Sequence, residues 1–115
     1  MSGVTLRVER DNSDAVTTVN ISTGSGHTIV VNEGTYYPRT GTVESRERDE
    51  YVVVRTEHLP LLAARLGVEG AQIEDIFAAV VESARAGEVD GLAAARRVLD
   101  RLKIPYENST WYSYD

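Results

Sequence analysis

The chain contains no cysteine. Disulfide frameworks, thiolate metal sites and thiol nucleophiles are therefore excluded. Imidazole is almost as scarce. His27 and His58 are the only two, too far apart in sequence to form a helical ligand pair, so no metal site is expected. Lysine is reduced to Lys103, the other eleven of the 12 basic residues being arginine. With the frequent alanine, that usage is typical of high-GC bacterial genomes. No apolar run approaches the length of a membrane span, and no basic and apolar leader opens the chain, so the expected setting is cytoplasmic, without a membrane. A net charge of −6 disfavours nonspecific binding to nucleic acid, since phosphate neutralisation needs a basic face. The same charge suits a basic protein partner.

Catalytic and cofactor signatures are also missing, and no cofactor is expected. Thr23-Gly24-Ser25-Gly26-His27-Thr28 has the glycines of a phosphate loop, but Thr28-Ile29-Val30-Val31 continues as strand and no lysine is present. A hairpin turn accounts for it. No Gly-x-Ser-x-Gly elbow exposes a serine nucleophile. The adjacent pairs Asp49-Glu50 and Glu74-Asp75 read as solvated charges, the second suited to the first turn of a helix. His58, beside Glu57, reads as a polar residue at a helix start.

What is present is a clear division between strands and helices, centred on Tyr51-Val52-Val53-Val54-Arg55. Aromatic and β-branched residues in an unbroken run predict a central strand buried on both faces or nearly so. Ahead of it, Val4, Leu6 and Val8 alternate with polar residues, as do Ala15, Thr17, Val19 and Ile21, and then Ile29 and Val31. Residues 3–32 are thus predicted to form a three-stranded meander, with Asp11-Asn12-Ser13-Asp14 as a turn whose short side chains bond their own backbone. Asn32-Glu33-Gly34 is expected to be another turn, and Thr35-Tyr36-Tyr37 a short strand ended by Pro38. From Arg39 to Glu50 the chain is polar and of mixed charge, with Val43 alone unable to anchor it. It is expected to be a mobile connection or an exposed hairpin arm.

After the central strand the pattern changes period. Leu59, Leu62, Ala63 and Leu66, with Pro60 in the first turn and Gly67 at the end, predict one helix. Ile73, Ile76, Phe77, Val80, Val81 and Ala84 predict a second, with Arg85 and Gly87 near its end. Asp90 is the predicted N-cap of a third over residues 91–103, with Leu92, Ala95, Val98, Leu99 and Leu102 as its apolar stripe. Past Pro105, the aromatic stretch ending in Trp111, Tyr112 and Tyr114 predicts a last strand, at an edge or beside the Tyr51 strand. The expectation is one α+β domain over residues 1–115. It would have an antiparallel or mixed sheet of five or six strands, with three helices mainly on one face.

Two surface features carry the functional expectation. The carboxylates Glu44, Glu47, Asp49 and Glu50 are suited to steering a basic partner, and Tyr36, Tyr37, Trp111, Tyr112 and Tyr114 to anchoring it. The expected role is a small acidic protein-binding domain that neutralises or regulates a basic protein, as bacterial immunity proteins do with toxins. The competing expectation is a small enzyme or ligand-binding module with a site between sheet and helices around His58, using Glu57 or Tyr106. A third is a homo-oligomeric structural subunit, such as a homodimer, paired through the last strand or an exposed helix face.

Overall fold

The valine-rich strand is longer than its apolar run. In the computed structural model, which describes residues 3–11, 14–24, 28–41, 44–69 and 72–114, this strand is β4, Arg46–Val54. The last five residues of the mixed-charge segment, Arg46 to Glu50, are therefore in one arm of a hairpin. Its partner is β3, Thr28–Tyr37, continuous through Asn32-Glu33-Gly34, where a turn was expected. Glycine fits mid-strand because the Asp49 side chain, directly opposite, occupies the space its Cβ would take. Val43 lies outside the described residues.

β1, Gly3–Arg10, and β2, Val16–Gly24, complete an antiparallel meander. The Asp11 to Asp14 turn closes as predicted: Ala15 N–H donates to Asp11 Oδ1 (3.1 Å), and Asp14 takes a left-handed φ of 62°. Asn12 and Ser13 lie outside the described residues, as do Ser25, Gly26 and His27 of the predicted hairpin turn, whose flanking strands pair from Gly24 opposite Thr28. β5, Glu107–Tyr114, pairs antiparallel with β4, giving a five-stranded sheet in the order β1-β2-β3-β4-β5.

The helices lie between β4 and β5 in the chain. A single 3₁₀ turn, Thr56–His58, leads into α1, Leu59–Leu66, which ends on Gly67 at φ 72°. There Val68 N–H donates to the Ala63 carbonyl (2.9 Å), a Schellman closure. α2, Ile73–Ser83, continues into a wider π-type turn, Ala84–Glu88. α3, Leu92–Leu102, is capped by extended Gly91, with no side-chain cap bond. Asp90 is thus one residue too early for the predicted N-cap. The Glu33 carboxylate of β3 instead approaches this end of the helix, its Oε1 lying 2.7 Å from where a Gly91 Cβ would stand. A carboxylate there suits the positive end of the helix dipole.

All three helices contribute to one core. Val19, Ile21, Ile29, Val31, Val52 and Val54 from the sheet meet Leu59, Leu62, Ile76, Phe77, Val81, Leu92, Ala95 and Leu99 from the helices. Only one face of the sheet is covered. Tyr51 and Val53 are consequently half-buried while Val52 and Val54 are buried, which corrects the expectation of a strand buried on both sides. A second correction concerns β1, where the pairing shifts register between Thr5 and Arg7. This bulge breaks the alternation. Val4 and Leu6 pack against the core, but Val8 emerges on the other face, 64% exposed, and Arg7 turns toward the helix side. No helix is long and apolar enough to cross a membrane among the described residues.

Candidate functional site

The helices do not cover the whole length of the sheet. On the helix side, the row Ile21, Val31, Val52 is buried, and the next row toward the hairpin end still holds buried Val19, with Glu33 against the start of α3 and Glu50 half-buried, whereas beyond it come Thr35, Arg48 and Tyr112, then Tyr37 and Arg46. The sheet therefore projects past its helical layer, and the molecule is elongated, with extents of 53 × 27 × 23 Å. Both faces of the projecting end are open. This is the region containing most of the aromatic and acidic residues singled out from sequence.

Pleating divides the mixed-charge run between the two faces. Side chains two apart share a face, so Arg46, Arg48 and Glu50 stand on the helix side and Glu47, Asp49 and Tyr51 on the open side. On the open side, the cross-strand register puts Tyr36 opposite Glu47, and Asp49 between Gly34 and Trp111. Within the described strands, the open side carries the carboxylates Glu47, Asp49 and Glu107 and one guanidinium, Arg10, at the far strand. Tyr36 and Trp111 are 44% and 51% exposed.

Asp49 differs from its neighbours in being buried, at 8% exposure. Asn32 Nδ2 donates to its Oδ1 (3.2 Å) and also to the Glu50 carbonyl (3.2 Å), tying β3 to β4. The acids then act on Tyr51. Burial first, then the charges of Asp49 and Glu47, raise its phenol above the ordinary tyrosine value of 10.0. At neutral pH Tyr51 is thus a neutral hydroxyl beside two carboxylates.

On the helix side, Arg46 lies over the Tyr37 ring, 4.7 Å from its centroid, and Arg48 over Tyr112 at 5.8 Å. Arg48 also pairs with Glu50. Tyr112 is 53% exposed and Tyr37 half-buried. Glu44 is exposed on the segment entering β4. The Tyr114 side chain lies outside the described residues. The predicted residues thus divide, with Tyr36, Glu47, Asp49 and Trp111 on the open face and Tyr37, Glu50 and Tyr112 on the other. Asn32 carries no functional signal in the sequence because Asn32-Glu33-Gly34 reads there as a turn. Arg46 and Arg48 carry no signal because their segment lacks the apolar alternation that assigns faces, and Tyr51 reads only as the first residue of a buried strand.

His58 is elsewhere, at the start of α1, with its Nε2 3.8 Å from Glu57 Oε1. The void between sheet and helices has a volume of about 50 Å³ and is lined by apolar side chains and Ser83, without His58, Glu57 or Tyr106. Tyr106 sits at the edge of the core, its phenol raised by burial and then by a hydrogen bond to Asp100. No cluster of three or more metal-ligating side chains occurs among the described residues. No protein-family model, curated protein or solved structure matches the chain.

Proposed function

We propose that this chain is a small protein-binding domain that takes up a basic protein partner on the projecting end of its sheet, in the manner of a bacterial immunity protein acting in the cytoplasm. The observation that carries this reading is the open sheet face. There Tyr36 and Trp111 stand exposed beside Glu47, over a floor formed by Asp49, Asn32 and Tyr51. Exposed rings with neighbouring carboxylates supply desolvating anchors and attraction for Arg or Lys together. The anchors rest on a paired five-stranded sheet, so little conformational entropy is lost when they are covered. Asp49, held by Asn32, contributes charge from behind the contact surface, while Glu47 provides the direct contact.

The test is capture of partners from cells that express the protein, at low and moderate salt, with Trp111→Ala and Glu47→Lys baits beside the wild type. A stoichiometric basic protein held by the wild type, weakened by salt and lost with either variant, is the expected result. Retention by both variants at wild-type strength would remove this face from the interaction. A concentration-independent dimer in sedimentation, abolished by Trp111→Ala, would assign the face to a second copy instead.

A further inference from the structure

The helix side of the projecting end has different chemistry from the open side, and the partner reading makes no use of it. Tyr37, Arg46, Glu47, Arg48 and Tyr112 border a cleft of about 170 Å³. Arg46 and Arg48 are two residues apart on β4 and share this face, while alternation directs the intervening Glu47 side chain to the other. Each guanidinium has a tyrosine on a neighbouring strand: Tyr37 of β3 for Arg46 and Tyr112 of β5 for Arg48. An arginine held over a ring loses torsional freedom but keeps its N–H groups available at the edge of the guanidinium plane. Arg46 leans toward β3 and Arg48 toward β5, and both border the same cleft, so an oxyanion seated in it has guanidinium donors on two sides.

The site already holds one oxyanion of its own. Glu50, next on the same face, accepts a bond from Arg48 Nη2. A carboxylate therefore fits Arg48, and Glu50 competes with any external anion for that guanidinium. Arg46 and Arg48 are both exposed, with Arg46 nearer the hairpin end of β4.

We propose that the Arg46–Arg48 cleft, walled by Tyr37 and Tyr112, is a binding site for an oxyanion group, a carboxylate or a phosphoryl. This site is separate from the acidic open face and stands whether or not that face binds a basic protein. Arg46 and Arg48 donate to the anion, the two rings hold the guanidiniums in place, and Glu50 lowers the affinity by occupying part of Arg48.

The experiment is an NMR titration of the arginine Nε–H signals with sodium acetate and, separately, sodium phosphate. Sodium chloride at matched ionic strength serves as the control, with Arg65 and Arg97 as reporters remote from the cleft. Saturating shifts at Arg46 and Arg48, absent at Arg65 and Arg97, are expected. Acetate and phosphate distinguish a carboxylate site from a phosphoryl site, and saturation by both indicates recognition of the shared oxyanion. Arg46→Gln is expected to weaken binding about tenfold or more, the loss of a charge-assisted pair of bonds. Glu50→Gln is expected to tighten it about two- to fivefold by removing a half-buried competitor. Glu50→Gln also guards against misreading a poorly folded arginine variant, because it predicts a gain. Shifts at Arg46 and Arg48 that follow ionic strength as Arg65 and Arg97 do would overturn the proposal, as would saturation unaffected by Arg46→Gln.

Discussion

Gly34 and Asp49 face each other across the β3–β4 pair, and the Asp49 carboxylate fills the space that a side chain at position 34 would need. Asn32 holds the same carboxylate from two residues along β3. The three residues form a small polar unit on an otherwise open sheet face. Introducing a methyl group at position 34 would push Asp49 out of its bond. Gly34→Ala is expected to cost about 1–3 kcal/mol in urea denaturation, the range for overpacking a closely filled site. Because the clash is with Asp49 itself, the Gly34→Ala/Asp49→Ala pair should be less destabilised than the sum of the single variants. Strict additivity would show that the two residues do not interact.

Core and projecting end should respond differently to truncation. Ile76 is fully buried in α2, and Ile76→Ala is expected to cost about 2–5 kcal/mol. Trp111 is half-exposed on β5, and Trp111→Ala is expected to cost less than about 1 kcal/mol. Loss of binding in Trp111→Ala without comparable loss of stability is the pattern that marks it as a contact residue. A large drop in denaturation midpoint would make it a structural residue instead.

Tyr51 makes stability depend on alkaline pH. Its folded-state pKa is raised above 10.0 by burial and then by Asp49 and Glu47. The folded protein therefore holds the phenolic proton more tightly than the unfolded chain does. The stabilisation is fully present below the unfolded value and is lost as pH rises through the folded one. Denaturation curves compared at about pH 9 and about pH 11 should show a fall in stability that is smaller in Tyr51→Phe. Tyr106, raised in the same direction, would account for part of the fall that remains. An identical fall in both proteins would mean that Tyr51 titrates normally.

Glu33 and Gly91 bring a sheet carboxylate to the start of α3. The helix lacks a side-chain cap at that end, so the charge has a clear role. Glu33→Gln is expected to destabilise the protein by about 0.3–1 kcal/mol at low salt, with the difference shrinking as salt is added. Arg7 Nη2 lies 3.8 Å from Glu33 Oε1, and this ion pair is a second contribution that Glu33→Gln removes. An Arg7→Gln background separates the two: a helix effect persists there, and an ion-pair effect disappears.

Association with a basic partner should show electrostatic steering. Glu47→Lys is expected to slow association more than it speeds dissociation, and raised salt should reproduce the effect in the wild type. An unchanged association rate with faster dissociation would identify Glu47 as a local contact without a steering role.

Local periodicity determined the helices. The stripes ending at Leu66, Ala84 and Leu102, and the left-handed residue Gly67, follow from 3.6-residue spacing and from glycine's freedom at positive φ, both properties of short segments. The α+β class and the strand, helix and strand order followed from the same local signals. The sequence alone also ruled out thiol chemistry. Tertiary structure decided where the strands began and which way their side chains faced. Arg46 to Glu50 has no apolar alternation, and it is a strand because β3 and β5 supply its backbone hydrogen bonds on both sides. Gly34 belongs to a strand because Asp49 lies across from it, fifteen residues away. Val8 faces outward because a bulge inserts one residue before it, and a single-residue shift in a period of two reverses every side chain that follows. The same period puts Glu47 and Asp49 on the face opposite Arg46 and Arg48, so the candidate surfaces emerge only when the pairing is known.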